Sequence, residues 1–288
     1  MMASVRDTAT QERIQRRVQY YYRLPPFNLP AQARCFRLKL TGGQSAYQID
    51  FYRLMRYFDP GYRVTFEFGD VRRSPPIPAF VKSRPIADDI PNAVLLKLNS
   101  VRHFRFVRDP IPFEDKTPKL VWRGSAAQAH RKDFLRSYFG HPLCDVGHYH
   151  PRRRQEDQWR RPRLSIADQL RYRFILAIEG NDIASNLKWI MSSGSLCFMP
   201  PCRNESWFME GRLRPGVHYV ALRRDYADLP EKIEYYTQHT AEARAIVHEA
   251  NAWVEPFRNP VEERITGLLV MWKYFHGSGQ LPDPPPLD

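Results

Sequence analysis

Between Arg173 and Met199 the chain passes from an apolar, strand-length run through a polar turn and a helix-length stretch into a second apolar run. No other feature restricts the fold as strongly. Arg173–Ile178 (RFILAI) and Ser195–Met199 (SLCFM) are near-continuous apolar segments. A strand without a polar face must be covered on both sides, as in a parallel sheet packed between helices. The spacing predicts a helix over Ala184–Ser192, so the segment reads as a βαβ unit. The same rhythm recurs nearby, with a strand at Lys119–Arg123, a turn at Gly124-Ser125 and a helix at Ala127–Phe139. Ser165–Tyr172 reads as a helix with Ser165 as its N-cap, and Val217–Ala221 as one more strand. This part of the chain is therefore expected to be a Rossmann-like α/β sheet.

The preceding part is less regular. Helices are expected at Gln11–Tyr22 and Ala46–Arg56, and a strand at Arg63–Phe68, where Val64, Phe66 and Phe68 alternate on one face. The Pro-rich stretch SPPIPAFVKSRP (74–85) cannot be regular helix. Two more strands, AVLLKL and HFRFV, are expected within Asn92–Val107. A loop rich in Pro, Asp and Lys, Asp109–Lys119, serves as the junction between an N-terminal domain (1–118) and a second domain (119–258). Helices at Ala241–Pro256 and Pro260–Phe275 close the chain, the latter forming a C-terminal element (259–276). The last residues, GSGQLPDPPPLD (277–288), read as a disordered tail.

Charge separates the function classes. The 288 residues carry 44 Lys and Arg against 31 Asp and Glu, a formal net charge of +13, and only nine of the cations are Lys. Such a surface attracts polyanions, whether nucleic acid, anionic lipid or phosphorylated glycan. The cations are dispersed and no recognition helix or aromatic RNA-binding motif is present, so no nucleic-acid partner is expected, although a basic nucleic-acid-binding protein is the rival reading. No apolar run reaches the ~20 residues of a membrane span, and Met1–Tyr22 lacks a signal-like apolar core, so a cytoplasmic protein is expected. The scattered Cys35, Cys144, Cys197 and Cys202 do not make a disulfide framework.

Two turns stand where such folds bind ligands, at the carboxyl edge of their strands. The first, Trp122-Arg123-Gly124-Ser125, opens a helix that carries Arg131. A helix N-terminus offers free N–H groups and a positive dipole end to a phosphate. Ser125 can donate its hydroxyl there, and Arg131 can fold back onto the same anion. The second turn runs from Glu179 through Gly180, Asn181, Asp182, Ile183, Ala184 and Ser185 to Asn186. Together the two make a better diphosphate site than either alone. Neither fits GxGxxG, and the chain has no GxxxxGK[ST], which disfavours nicotinamide cofactors and P-loop hydrolysis. It also has no Asp-x-Asp pair to hold a divalent metal against a nucleotide diphosphate. His141, Cys144, His148 and His150 in HPLCDVGHYH are possible zinc ligands, but their spacing matches no closed site and a polar loop is expected. The Arg-rich run Pro151–Arg154 that follows is a possible anion contact.

The chain resembles glycosyltransferase family 90, and especially bacterial members that act in lipopolysaccharide core biosynthesis. The matching motifs are FGDV (68–71), FVKSRPI (80–86), VRHFRF (101–106), WRGS with Arg131, HPLCDVG (141–147), IEGNDIASNLKWIMSSGSLCFMP (178–200), WFMEG (207–211) and LRPGVHYV (213–220). The resemblance implies a GT-B fold, with two Rossmann-like domains facing across a cleft: an acceptor-side domain, and a C-terminal domain that binds a UDP-sugar. It implies an inverting, metal-independent transfer of a hexose, with glucose favoured, to a lipopolysaccharide core or related glycan, and no cofactor. Gly124, Ser125, Arg131, Gly180, Asn181, Asp182, Ala184, Ser185 and Asn186 then fall at the donor. Asp70 matches the catalytic base, Lys82, Ser83 and Arg84 fall on the acceptor side of the cleft, and Glu210 falls near the donor ribose or sugar. Asn186 stands where eukaryotic members often carry Arg. A protein or another glycan is the alternative acceptor. Peripheral contact with the anionic inner face of the cytoplasmic membrane would suit the charge.

Overall fold

The computed structural model describes residues 7–38, 43–149 and 157–281. His150, the run Pro151–Arg154 and residues 282–288 of the expected tail lie outside them. The chain divides into two compact units, one of residues 1–103, 203–211 and 256–288, the other of 104–202 and 212–255.

The first unit begins with α1 (Thr8–Tyr21), whose N-cap Asp7 accepts from the Ala9 and Thr10 N–H groups and whose Ile14, Arg17, Val18 and Tyr21 form the buried stripe. Strand β1 (Arg34–Cys35) follows, then α2 (Ala46–Met55), started by a capping box between Ser45 and Gln48. The single strand expected at 63–68 is two, β2 (Arg63–Val64) and β3 (Phe66–Glu67). Thr65 divides them because its N–H and hydroxyl bind Tyr274 and Pro78. Its flanks then take different partners, β2 pairing antiparallel with β1 and β3 parallel with β4 (Ala79–Val81). Next come β5 (Ser83–Pro85), β6 (Ala93–Leu95), which pairs parallel with β4, and α3 (Ser100–His103). The strand expected from HFRFV does not form. Asp50 accepts from the Ser100 N–H and hydroxyl, which turns the chain into α3, and the Val107 N–H goes to the Ser192 hydroxyl instead of a neighbouring strand.

The second unit carries β7 (Thr117–Gly124), α4 (Ala129–Tyr138), β8 (Cys144–His148), α5 (Ile166–Gln169), β9 (Tyr172–Leu176), α6 (Leu187–Met191) and β10 (Leu196–Met199). The chain then adds β11 (Asn204–Ser206) to the first unit, antiparallel to β5, before β12 (Val220–Ala221) completes the second sheet. Helices α7 (Leu229–Gln238), α8 (Thr240–Arg258) and α9 (Pro260–Gly277) follow. The second sheet is parallel throughout, in the order β12-β10-β9-β7-β8. Its core strands are sealed on both faces, with Leu120, Val121, Phe174, Ile175, Leu176, Leu196 and Phe198 buried. The Rossmann-like expectation is met here. Counting strands within the unit, the order is 2-1-3-4-5, so the winding reverses between β7 and β9 and leaves a crevice at their carboxyl ends.

Within HPLCDVGHYH, where a polar loop was expected, Cys144–His148 is a strand: β8 is the edge next to β7, with Cys144, Val146 and His148 turned inward. Residues 277–281 are docked where a tail was expected to start, since the Gln280 amide bridges the backbone N–H and carbonyl of Arg63.

Arg84 and Glu205 face each other across the β5–β11 pair at 2.8 Å, both buried. Arg84 also donates to the carbonyls of Tyr20 and Ala93, and Tyr20 donates its hydroxyl to Glu205. Removing one partner of such a pair leaves a buried charge uncompensated. Glu205→Ala is expected to lower unfolding free energy by about 3–5 kcal/mol, with partial recovery in Arg84→Met/Glu205→Leu. Urea denaturation of the three chains checks this, and equal midpoints would remove the pair from the stability of the unit.

Candidate functional site

The loops after β7 and β9 flank the crevice in the second unit. At the first, a Cβ on Gly124 would lie 2.4 Å from the Trp122 ring, so the backbone passes the indole only as glycine. Ala126 is buried and its N–H donates to Nδ1 of His148, at the end of β8. Helix α4 then starts at Ala129, and its N-cap Gln128 makes no side-chain cap. The Gln128 amide instead donates to Asn181 Oδ1 on the second loop, at 3.0 Å.

Arg131, one turn into α4, ties both loops. Its Nε donates to the Glu179 carbonyl at 2.9 Å, Nη2 to Ile178 at 2.8 Å and Nη1 to Ser125 at 3.1 Å, while its guanidinium lies over the Trp122 ring. His130 Nε2 meets the same Glu179 carbonyl at 2.9 Å. A planar fork with several fixed donors suits this task better than an ammonium.

The second loop closes on itself. The Gly180 N–H donates to Ile183, the Asn186 amide donates to Leu176 at the end of β9, and Asp182, Ile183 and Ala184 are buried. Because these bonds hold 180–186 as a turn, α6 begins at Leu187 rather than Ala184 and spans only Leu187–Met191. The second dipole end expected from the sequence is therefore that of little more than one turn, and α4 supplies the longer helix at the crevice.

Asp70, Lys82, Ser83 and Arg84 lie in the first unit. Gly69 has φ +120°, a conformation open to glycine, and it turns the chain after β3 so that Asp70 follows at once. The Asp70 carboxylate is 36% exposed and meets Nζ of Lys82 at 2.7 Å, whose side chain is only 2% exposed. Ser83 donates to the Val71 carbonyl, fixing the same turn to β5. A partly exposed carboxylate held by a buried ammonium has a set direction and can accept a proton from an arriving hydroxyl. Arg84 is not an exposed lining residue, being completely buried in its pair with Glu205.

Glu210 also belongs to the first unit, where its carboxylate accepts from the N–H and hydroxyl of Ser206. Trp207, in the same WFMEG segment, stacks on Tyr21 and donates to Glu263. The structure thus groups Gly124, Ser125, Arg131 and Gly180 through Asn186 around one crevice, and gathers Asp70, Lys82, Ser83, Arg84 and Glu210 in the other unit.

No signal in the sequence marks the loop supports Gln128 and His130, and His148, singled out there as a possible zinc ligand, instead accepts from the Ala126 N–H. Nor does the sequence mark a cavity of about 370 Å³ in the first unit, lined by Gln32, Arg34, Phe66, Glu67, Arg73 and Pro75 among others. Of the zinc candidates, His141 accepts from the Leu143 N–H, His148 from Ala126, and burial pushes the Cys144 thiol up to about 12. Among the described residues no three His, Cys, Asp or Glu side chains cluster as metal ligands.

Residues 99–259 match the model of glycosyl transferase family 90. The chain is 49% identical over 263 residues to an O-glucosyltransferase LpsA of Dichelobacter nodosus, covering 91% of this chain and 82% of that protein. Protein O-glucosyltransferase 2 of Danio rerio is 30% identical over 86 residues, 29% of this chain and 16% of that protein. Protein O-glucosyltransferase 3 of Rattus norvegicus is 24% identical over 167 residues, 56% of this chain and 32% of that protein.

Proposed function

The chain belongs to glycosyl transferase family 90, and from that premise we propose that it transfers glucose from UDP-glucose to a hydroxyl of a lipopolysaccharide core or related glycan. The reaction is an inverting, metal-independent displacement in a GT-B enzyme, carried out at the cytoplasmic face of the membrane. The observation that carries this reading is the pair of loops at the β7/β9 reversal, held together by Arg131. A crevice of that kind, next to the N-terminus of α4, suits a nucleoside diphosphate.

In this mechanism the acceptor oxygen attacks the anomeric carbon from the face opposite UDP. The bond from that carbon to the diphosphate oxygen breaks, UDP leaves with the electron pair, and Asp70 takes the acceptor proton. Ser125, the first N–H groups of α4 and the loop Gly180–Asn186 hold the diphosphate, and Arg131 offsets the charge it gains. Lys82 positions the base. Glu210 meets the donor's ribose or sugar. The Arg34 and Arg73 cavity in the same unit as Asp70 supplies a place for the acceptor glycan.

A donor screen by thermal shift tests the reading. UDP and UDP-glucose are expected to stabilise the protein, by about 2.7 kcal/mol at a hundredfold excess over Kd, with or without a chelator. A GDP-sugar is expected to give no shift. No response to any uridine nucleotide would overturn the proposal.

A further inference from the structure

We propose that the outer face of α2, extended by α3, docks this protein onto an anionic lipid surface. Eight large hydrophobic side chains are exposed among the described residues; three lie on these two helices, Ile49 at 38%, Tyr52 at 39% and Val101 at 64%, and a fourth, Tyr57 at 55%, lies two residues past the end of α2. The other four are dispersed at 86, 149, 235 and 261. Helix α2 has an ordinary inner stripe, where Phe51 and Met55 are buried and Leu54 meets Gly267 of α9. Its outer stripe is Ile49, Tyr52, Arg53, Arg56 and Tyr57, at the i, i+3, i+4, i+7 and i+8 spacing of one helical face. Arg56 is the C-cap and keeps helical dihedrals, and the Tyr57 N–H donates to the Leu54 carbonyl, so the stripe runs two residues past the last helical one.

The neighbouring α3 is fixed to this face. Asp50 accepts from the Ser100 N–H and hydroxyl and from Arg53, which sets Val101 and Arg102 beside the stripe. Asp50, the acidic residue of α2, is buried by these bonds, and Asp59 beyond the helix has its carboxylate on the Gly61 N–H. The exposed surface therefore alternates tyrosine and aliphatic side chains with Arg53, Arg56 and Arg102.

Tyrosine seats at the headgroup level, aliphatic side chains enter the acyl boundary, and arginine pairs with anionic headgroups. A protein partner fits less well, because a stable interface takes about 20–30 residues a side around a core depleted of charge. The net charge of +13 favours the same occupant. The proposal does not rest on the donor or the acceptor, since vesicle binding needs neither.

Co-sedimentation of the full chain with phosphatidylcholine vesicles, with and without phosphatidylglycerol, tests it. Binding is expected only with the anionic lipid. Removing one arginine from such a surface weakens binding roughly fivefold, so Arg56→Glu/Arg102→Glu is expected to weaken it about twenty-five-fold or more. The triple change Ile49→Ser/Tyr52→Ser/Tyr57→Ser should do the same with no change in charge. Arg171→Glu/Arg264→Glu makes the same charge change at exposed positions elsewhere and should leave patch binding within about twofold of the unaltered chain. Hydroxyl-radical footprinting of the unaltered chain on vesicles should protect Tyr52 and Tyr57. The proposal is overturned by any of four results: no vesicle binding, equal losses in the two double variants, unprotected tyrosines, or self-association that the triple variant abolishes while vesicle binding survives.

Discussion

Asp70→Asn is expected to lower kcat for glucosyl transfer about a thousandfold, near 4 kcal/mol of barrier, while the affinity for UDP stays unchanged. Asparagine keeps the shape of the side chain and can still meet Lys82, now as a neutral acceptor, but it cannot take a proton from the attacking hydroxyl. In the proposed reading the diphosphate is held by residues of the second unit, so a titration with UDP separates the two functions. A purely structural Asp70 gives the opposite pattern: its pair with Lys82 at 2.7 Å would be weakened, stability would fall and the rate would hold. Single-turnover measurements with UDP-glucose and an acceptor distinguish the outcomes. An unchanged rate removes Asp70 from the mechanism.

Arg131→Ala is expected to weaken UDP binding about a hundredfold, near 2.8 kcal/mol. Two effects combine in that figure. The side chain would no longer reach the diphosphate, and the carbonyls of Ser125, Ile178 and Glu179 would lose the donors that tie the loops together. Arg131→Lys should recover little of it, because one ammonium cannot satisfy three carbonyls on two loops and also meet a phosphate. Calorimetric titration with UDP reads both variants. Equal affinity in Arg131→Ala would show that the loops hold without it.

Much of the second unit is legible in the sequence because its signals are local. RFILAI and SLCFM form β9 and β10 within one or two residues of their expected bounds, since an apolar run between turns has little alternative to a buried strand. Ser165 caps α5 as expected, through its reciprocal bonds with Asp168. The errors arise where a distant group decides the outcome. HFRFV alternates like a strand, but Asp50, fifty residues upstream, recruits Ser100 into a helix instead. HPLCDVGHYH looks polar, yet period-two alternation is present: Cys144 and Val146 point inward while Asp145 meets Arg123 and Tyr172. Reading Cys and His as inward-facing residues would have found the strand.

The site divides along the same line. Gly124, Ser125, Arg131 and the Gly180 turn could be placed together because each follows a strand of one parallel sheet. That Arg131 would use its guanidinium on carbonyls of both loops was not legible, as no pattern in the chain encodes a bond to a main-chain oxygen 48 residues away. The burial of Arg84 was not legible for a related reason. Its partner Glu205 lies 121 residues downstream, so nothing near it marks it as buried.

Glu263 receives Arg17, Lys97 and Trp207, and it lies on α9, the last helix among the described residues. Synthesis proceeds from the N-terminus, so Arg17 emerges from the ribosome some 246 residues before the carboxylate that neutralises it. The first unit, although it holds the beginning of the chain, is thus the later of the two to be completed. A nascent chain stalled after α8 would contain every residue of the second unit, yet its first unit would carry an unmatched Arg17 and an open aromatic face. Any fusion that delays or blocks α9 would therefore show its damage first at α1, where Arg17 meets Glu263.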